Sequence, residues 1–112
     1  MRKWILPIRA QDEVVFNAIK DGTKTVETRA YLGKYARIEE GDTLVLSCAG
    51  KKFEKKVKQI RLFPSVEDMY KEIDYKKVIP WADSLEGAIG INKSFPNYEE
   101  RLKKGIIAWN LI

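Results

Sequence analysis

The chain contains no histidine and only one cysteine among its 112 residues. Without histidine, Ser-His-Asp and Cys-His catalytic units and imidazole-ligated metal sites are excluded. The single thiol, Cys48, cannot form an intrachain disulfide or a cysteine-rich zinc site, which fits a reducing compartment. The longest apolar run, from Ile106 to Trp109, is far shorter than the roughly 20 residues of a membrane span. We therefore expect one cytoplasmic domain over residues 1–112, with no metal, no cofactor and no membrane partner.

Positive charge is concentrated in the first half of the chain. Residues 1–61 hold fourteen Lys and Arg against eight Asp and Glu, whereas the remainder holds seven against eight, so the overall charge is +5. A one-sided positive surface suits phosphate groups, although ordinary soluble domains often share this bias. The most basic part is a predicted hairpin, whose cations either follow a nucleic-acid backbone or protect an exposed strand from aggregation: Lys51, Lys52, Lys55, Lys56, Lys58 and Arg61.

Hydrophobic periodicity predicts an α+β domain. The predicted strands cover residues 3–8, 24–29, 43–49, 52–63 and 106–112, and the predicted helices lie near 12–21, 65–73, 84–95 and 97–104. Pro7 places the first strand at an edge of the sheet or marks its end. Within the long strand, apolar residues change parity after Val57, which predicts a bulge near Lys58-Gln59. Strands joined mostly by hairpins favour a curled, mainly antiparallel sheet over a doubly wound one.

One segment after the first predicted helix could carry chemistry. Gly22 can adopt positive φ and turn the chain sharply, and Glu27 and Arg29 then share one face of the next strand. Lys24 has the opposite parity and joins them only if the backbone is still turning at Thr23-Lys24. In a water-poor cleft this trio could bind a planar polar ligand or a phosphate, and its lysine could serve as a nucleophile or base. The competing interpretation is three solvated charges on a strand edge.

Aromatic residues in the predicted loops offer a second possible contact with a ligand. Tyr31, Tyr35 and Trp81 lie close to charged residues in the sequence. Such side chains stack on exposed bases in many RNA-binding domains. Loop aromatics also commonly cover the edge of a core, so both roles remain open for these three. Trp4 and Trp109 lie in the terminal strands and are expected in the core.

The same segment resembles a known family. Gly22-x-Lys24-x-x-Glu27-x-Arg29 matches the G-x-K-x-x-E-x-R signature of the ASCH domain (activating signal cointegrator homology), and the order of the elements is similar over most of the chain. The resemblance implies a small, curled antiparallel or mixed β-barrel of the PUA-like type, decorated by helices. It also implies a cleft for RNA or a modified nucleoside, into which the signature residues project.

In that cleft, Lys24 and Arg29 would contact phosphate or base acceptor atoms and Glu27 would accept from an exocyclic amine. With the loop aromatics and a hairpin lysine added, the candidate ligand-binding residues are Gly22, Lys24, Glu27, Arg29, Tyr31, Tyr35 and Lys52. The partner is expected to be RNA or a modified nucleoside, and the sequence leaves the oligomeric state open.

An enzymatic alternative follows from the same resemblance. Some family members hydrolyse the acetyl amide of N4-acetylcytidine with the motif lysine, a threonine three residues later and a distant glutamate. Here Lys24 is kept, Glu27 takes the place of the threonine, and Glu72 lies in roughly the region of the distant glutamate. The candidate catalytic residues of an amidohydrolase are therefore Lys24 and Glu27. Ribonuclease activity, also proposed for relatives, would have to manage proton transfer without histidine.

Overall fold

A curved mixed sheet of five strands, with helices packed on it, forms the body of the protein in a computed structural model that describes all 112 residues. The strands are β1 (Lys3–Pro7), β2 (Val26–Ala30), β3 (Thr43–Cys48), β4 (Lys51–Phe63) and β5 (Ile106–Leu111). The helices are α1 (Glu13–Asp21), α2 (Val66–Glu72), α3 (Tyr75–Val78), α4 (Leu85–Lys93) and α5 (Tyr98–Arg101), with 3₁₀ turns at Ala10–Asp12 and Gly33–Arg37. The predicted α+β class is confirmed. No helix has both the length and the apolar character needed to cross a bilayer.

The strand order is β1-β3-β4-β5-β2, so that β1 and β2 are the two edges of the sheet. β1 runs parallel to β3, and the other three pairs are antiparallel. The sheet curls into a half-barrel, which brings its edges close enough for Arg29 of β2 to donate to the carbonyl of Pro7 in β1. We call the gap between β1 and β2 the seam. Pro7 ends β1 at the sheet edge, as predicted.

A bulge in β4 keeps apolar residues on both sides of it in contact with one core. The pairing of β4 with β5 shifts between Val57 and Gln59, which confirms the predicted bulge at Lys58-Gln59. The extra residue reverses the alternation of side chains, so that Ile60 can face the same interior as Val57. This inner core, inside the half-barrel, contains Leu6, Ile8, Phe16, Ile19, Ile38, Leu44, Leu46, Cys48, Val57, Ile107, Trp109 and Leu111.

A second core lies between the other face of the sheet and the helices of the second half. Its sheet residues are Val26, Ile106 and Ala108, and α2 contributes Val66, Met69 and Tyr70. The spacing of the α2 residues is the helical stripe expected from the sequence, and Ser65 caps that helix by accepting from the Asp68 N–H at 3.1 Å. The short helix α3 closes this layer beside β2 through Val78 and Ile79. It therefore brings the end of α3 close to the segment that carries the signature.

Candidate functional site

The turn after α1 determines where the first charged residue of the signature lies. α1 ends at Gly22, whose φ of 86° is readily adopted only by glycine. The Asp21 carboxylate then accepts from the N–H and the hydroxyl of Thr23, at 2.9 and 2.8 Å. The Lys24 N–H still donates back to the Ala18 carbonyl at 3.0 Å, and β2 begins only at Val26. The backbone is thus turning at Thr23-Lys24, as predicted, and Lys24 reaches the same side as the strand residues that follow.

Lys24 is buried, with 4% of its surface exposed. Its Nζ donates to the Val26 carbonyl at 2.7 Å and to the Val78 carbonyl, and lies 3.4 Å from Glu27 Oε1. Val78 is the last residue of α3, where carbonyl groups lack partners within the helix. The ammonium group therefore makes two hydrogen bonds to carbonyls and one ion pair. Burial lowers the pKa of Lys24, and the neighbouring Glu27 opposes this shift only in part.

Glu27 lies between two cations and is 6% exposed. Its Oε1 accepts from the Thr28 N–H at 2.9 Å and faces Lys24, and its Oε2 accepts from Arg29 Nη2 at 3.3 Å. Burial alone would raise the pKa of Glu27, but Lys24 and Arg29 together outweigh it and hold the pKa below its ordinary value. Glu27 is therefore an ionised carboxylate that accepts two hydrogen bonds and is ion-paired with Lys24.

Arg29 links the buried charges to solvent, because 23% of its side chain is exposed. Its Nη1 donates to the Tyr35 hydroxyl at 3.1 Å and its Nη2 to the Pro7 carbonyl at 3.4 Å. Burial by itself would lower the pKa of Arg29, but Glu27 and Tyr35 raise it above its ordinary value. Lys24, Glu27 and Arg29, which we call the ion cluster, carry one negative and two positive charges, so the cluster has a net charge of +1.

Two aromatic side chains adjoin the ion cluster from the inner core. The Tyr35 ring lies 5.5 Å from the Arg29 guanidinium and 5.8 Å from Lys34 Nζ. Trp109 is directly opposite Glu27 in the β2–β5 pairing, and its ring centroid is 5.9 Å from that of Tyr35. Sequence reasoning assigned Trp109 to the core, which is correct, but not to the surroundings of the signature. Only the register between strands far apart in the sequence reveals that position.

The other predicted site residues lie outside the ion cluster. Tyr31 packs against the inner core, and its backbone N–H donates to the Gly105 carbonyl at 3.0 Å. Lys52 is exposed near the start of β4 and makes no hydrogen bond or ion pair with the cluster. Trp81 is 38% exposed. Glu72 is exposed on α2 and lines a groove between β4 and α2 rather than contacting Lys24.

The chain is similar to a family model and to solved structures of other proteins. The model described as "ASCH domain" matches residues 12–109. The crystal structure of the hypothetical protein PH0355 is 30% identical, with a TM-score of 0.77 over 99% of this chain and 97% of that one. The solution NMR structure of protein PF0455 from Pyrococcus furiosus is 32% identical, with a TM-score of 0.73 over 97% of this chain and 94% of that one. A search of the curated proteins found no match.

Proposed function

The chain belongs to the ASCH domain family, and on that premise we propose that it binds RNA or a nucleotide-like ligand at the ion cluster. The observation that carries this proposal is the net positive charge of the cluster, whose Arg29 is partly open at the seam. Charges removed from water are stabilised by opposite charges or hydrogen-bond acceptors. A ligand that brings a phosphate oxygen or a base acceptor to Arg29 would supply what the cluster lacks.

The surroundings of the seam support an anionic ligand. Lys34 lies there with Arg29, and both cations approach the ring of Tyr35. The Lys34 Nζ donates to the Ile5 carbonyl of β1 at 2.6 Å, so it is held close to the opening. Two cations of this kind at one opening concentrate positive potential, which attracts phosphate groups. The favoured ligand is therefore a phosphorylated nucleoside or a segment of RNA rather than a cationic or apolar molecule.

The β3–β4 hairpin adds a second source of attraction for an RNA backbone. Lys52, Lys56 and Lys58 are exposed at alternate positions of β4 and make no ion pair. The acid among them, Glu54, is paired with Lys3 at 3.1 Å. Exposed lysines of this kind bind phosphates without regard to base sequence. We assign general attraction for RNA to the hairpin and recognition of the ligand to the ion cluster.

Binding of a fluorescein-labelled single-stranded RNA, measured by fluorescence polarisation at low salt, tests this assignment. Arg29→Gln should weaken binding about 10- to 100-fold, because hydrogen bonds to charged groups contribute about 1.5–3 kcal/mol. Arg101→Gln, which removes the same charge from an exposed position on α5, is the matched control and should leave binding nearly unchanged.

The salt dependence separates the two contributions. Lys52→Gln should lower the slope of log affinity against log salt by about 0.7, the value for one contact to a single strand. The substitution should weaken the binding of all RNA sequences to a similar degree. If the folded wild-type protein binds neither RNA nor nucleotides at low salt, or if Arg29→Gln and Arg101→Gln behave alike, the proposal is wrong.

A second candidate function rests on Lys24, whose ammonium is buried beside the Glu27 carboxylate. Burial lowers its pKa and so eases loss of the proton that a nucleophile or base must release. On this alternative the protein would hydrolyse the acetyl amide of N4-acetylcytidine, with Glu27 moving the proton. Release of acetate and cytidine by the purified protein, lost in Lys24→Met and kept in Lys77→Met, would support it. Lys77 is an exposed lysine of α3 and serves as the control. The absence of acetate release from the folded wild type would refute it.

A further inference from the structure

Trp109 has a buried hydrogen-bond donor without a partner. The side chain is completely buried, and its Nε1 makes no hydrogen bond to another group of the protein. Buried indole N–H groups usually find an acceptor, and an unpaired one costs free energy of folding. The other unpaired buried nitrogen, Arg61 Nε, belongs to a guanidinium that donates to Asn110 Oδ1 through Nη2 at 3.3 Å. Trp109 is thus the more isolated donor.

The position of Trp109 connects this donor with the ion cluster. Trp109 and Glu27 are directly opposite each other on β5 and β2, so their side chains project from the same face of the sheet with Cβ atoms about 5 Å apart. Tyr35, which accepts from Arg29, packs edge-on against the indole ring. The Trp109 side chain therefore adjoins the side chains of the proposed ligand site.

The hydrogen-bonding capacity left in this group consists mainly of donors. Lys24 donates to two carbonyls and is ion-paired with Glu27, which itself accepts two hydrogen bonds. A guanidinium has five N–H donors, of which Arg29 uses three, on Tyr35, Pro7 and Glu27. Two N–H groups of Arg29 and the indole N–H of Trp109 remain. A ligand that uses these three donors must offer acceptors.

We propose that Trp109 is a specificity-determining residue, whose indole N–H donates to an oxygen acceptor of the bound ligand beside Arg29. The acceptor is a carbonyl oxygen of a nucleobase or an oxygen of a phosphate. This inference rests on the proposed function, because it assigns a residue to the same site.

Nuclear magnetic resonance of the ¹⁵N-labelled wild-type protein tests the proposal directly. The three tryptophans give three indole N–H signals, which Trp4→Phe, Trp81→Phe and Trp109→Phe assign. The probes are uridine, uridine 5′-monophosphate and inorganic phosphate. The Trp109 signal should move to higher proton shift on binding, as expected when an N–H gains an oxygen acceptor. The Trp4 signal should stay, because its Nε1 already donates to Asp42 Oδ2 at 2.9 Å.

The probes distinguish the two sources of the acceptor. A shift of the Trp109 signal with uridine assigns a base carbonyl, and a shift that requires a phosphate-containing probe assigns a phosphoryl oxygen; either supports the proposal. If backbone signals of residues 24–29 move while the Trp109 indole does not, the ligand site stands and the role of Trp109 is refuted. If no signal moves with any probe or with RNA, the proposed function fails and this inference fails with it.

Affinity measurements give an independent readout for the same residue. Trp109→Phe should bind the probe that shifts the indole about tenfold more weakly, since one hydrogen bond to the ligand is lost. Trp4→Phe, which removes an indole N–H that already donates to Asp42 Oδ2 inside the protein, should retain the wild-type affinity. Equal affinities of a folded Trp109→Phe and the wild type would overturn the proposal, and the wild-type indole signal remains decisive if that variant does not fold.

Discussion

Removal of the negative charge of Glu27 is the most direct test of the physics of the ion cluster. Glu27→Gln keeps the shape of the side chain but leaves Lys24 and Arg29 as two uncompensated positive charges, one of them 4% exposed. Breaking a buried ion pair from one side costs about 3–5 kcal/mol. We expect the free energy of unfolding to fall by that amount, and Tm to fall by roughly 4 °C per kcal/mol for a domain of this size.

A surface pair in the same protein provides the matched control. Glu54 lies 3.1 Å from Lys3, a shorter distance than that between Glu27 and Lys24, but the two side chains are 51% and 68% exposed. Exposed pairs contribute about 0–1 kcal/mol because water and salt screen them. Urea unfolding of Glu54→Gln should therefore show almost no loss. If both variants lose the same stability, burial does not control the energetics of the cluster and the reasoning is refuted.

The coupling between Lys24 and Glu27 can be measured separately with a double-mutant cycle. Lys24→Met leaves the Glu27 carboxylate with Arg29 alone and removes the donor from the Val26 and Val78 carbonyls. The double variant removes both charges of the pair at once. It should be about 1–3 kcal/mol more stable than the sum of the two single losses predicts. Strict additivity would mean that the two groups do not interact.

Three further predictions concern stability and can be checked by urea unfolding. The pKa of Glu27 is held below its ordinary value of 4.5, so the ionised carboxylate contributes its full stabilisation above about pH 4.5. That stabilisation is lost as the pH falls through the lowered pKa. On acidification, the free energy of unfolding should therefore fall less in Glu27→Gln than in the wild type, by up to about 1.4 kcal/mol per pH unit. Gly105→Ala should lower the free energy of unfolding by more than about 1 kcal/mol, because φ is 96° and the new Cβ would lie 2.6 Å from the Phe63 carbonyl oxygen. Gly90 lies in helix α4 with open space around it, so Gly90→Ala should raise the free energy of unfolding by about 0.5–1 kcal/mol. Asp42→Ala should lower the free energy of unfolding by about 3 kcal/mol. It removes the acceptor of the Arg2 and Glu39 backbone N–H groups and of the Trp4 indole N–H. A neutral result for either destabilising substitution, or a pH profile of Glu27→Gln that parallels the wild type, would contradict the corresponding contact.

The parts of the site that depend on local backbone geometry could be predicted from the sequence. Glycine after a helix forces a turn, so Lys24 could be expected to join Glu27 despite its opposite parity, and the two atoms Nζ and Oε1 do lie 3.4 Å apart. The change of parity along β4 likewise required an extra residue, which is found between Val57 and Gln59. Both predictions rest on interactions within a few residues, where steric rules leave few alternatives.

The long-range partners of the same side chains could not be predicted. Lys24 donates to the carbonyl of Val78, which is 54 residues away, and Arg29 reaches Pro7 only because the sheet curls. The four-residue helix α3 shows no hydrophobic period; its first turn is fixed by Asp74, which accepts from the Lys76 N–H at 3.0 Å. Predicting these contacts requires the strand order and the position of α3, which the periodicity of a single sequence does not contain.

The seam has a consequence for how the proposed ligand would enter its site. The edge strand β1 is contacted across the seam by the long side chains of Arg29 and Lys34, which donate to the Pro7 and Ile5 carbonyls. β1 and β2 are not paired with each other by backbone hydrogen bonds. Oxygen atoms of that ligand could accept from Arg29 and Lys34 in place of the two carbonyls, while every strand pairing stays intact. On the proposed function, entry of the ligand would require rotation of these two side chains, a motion far faster than the opening of a domain.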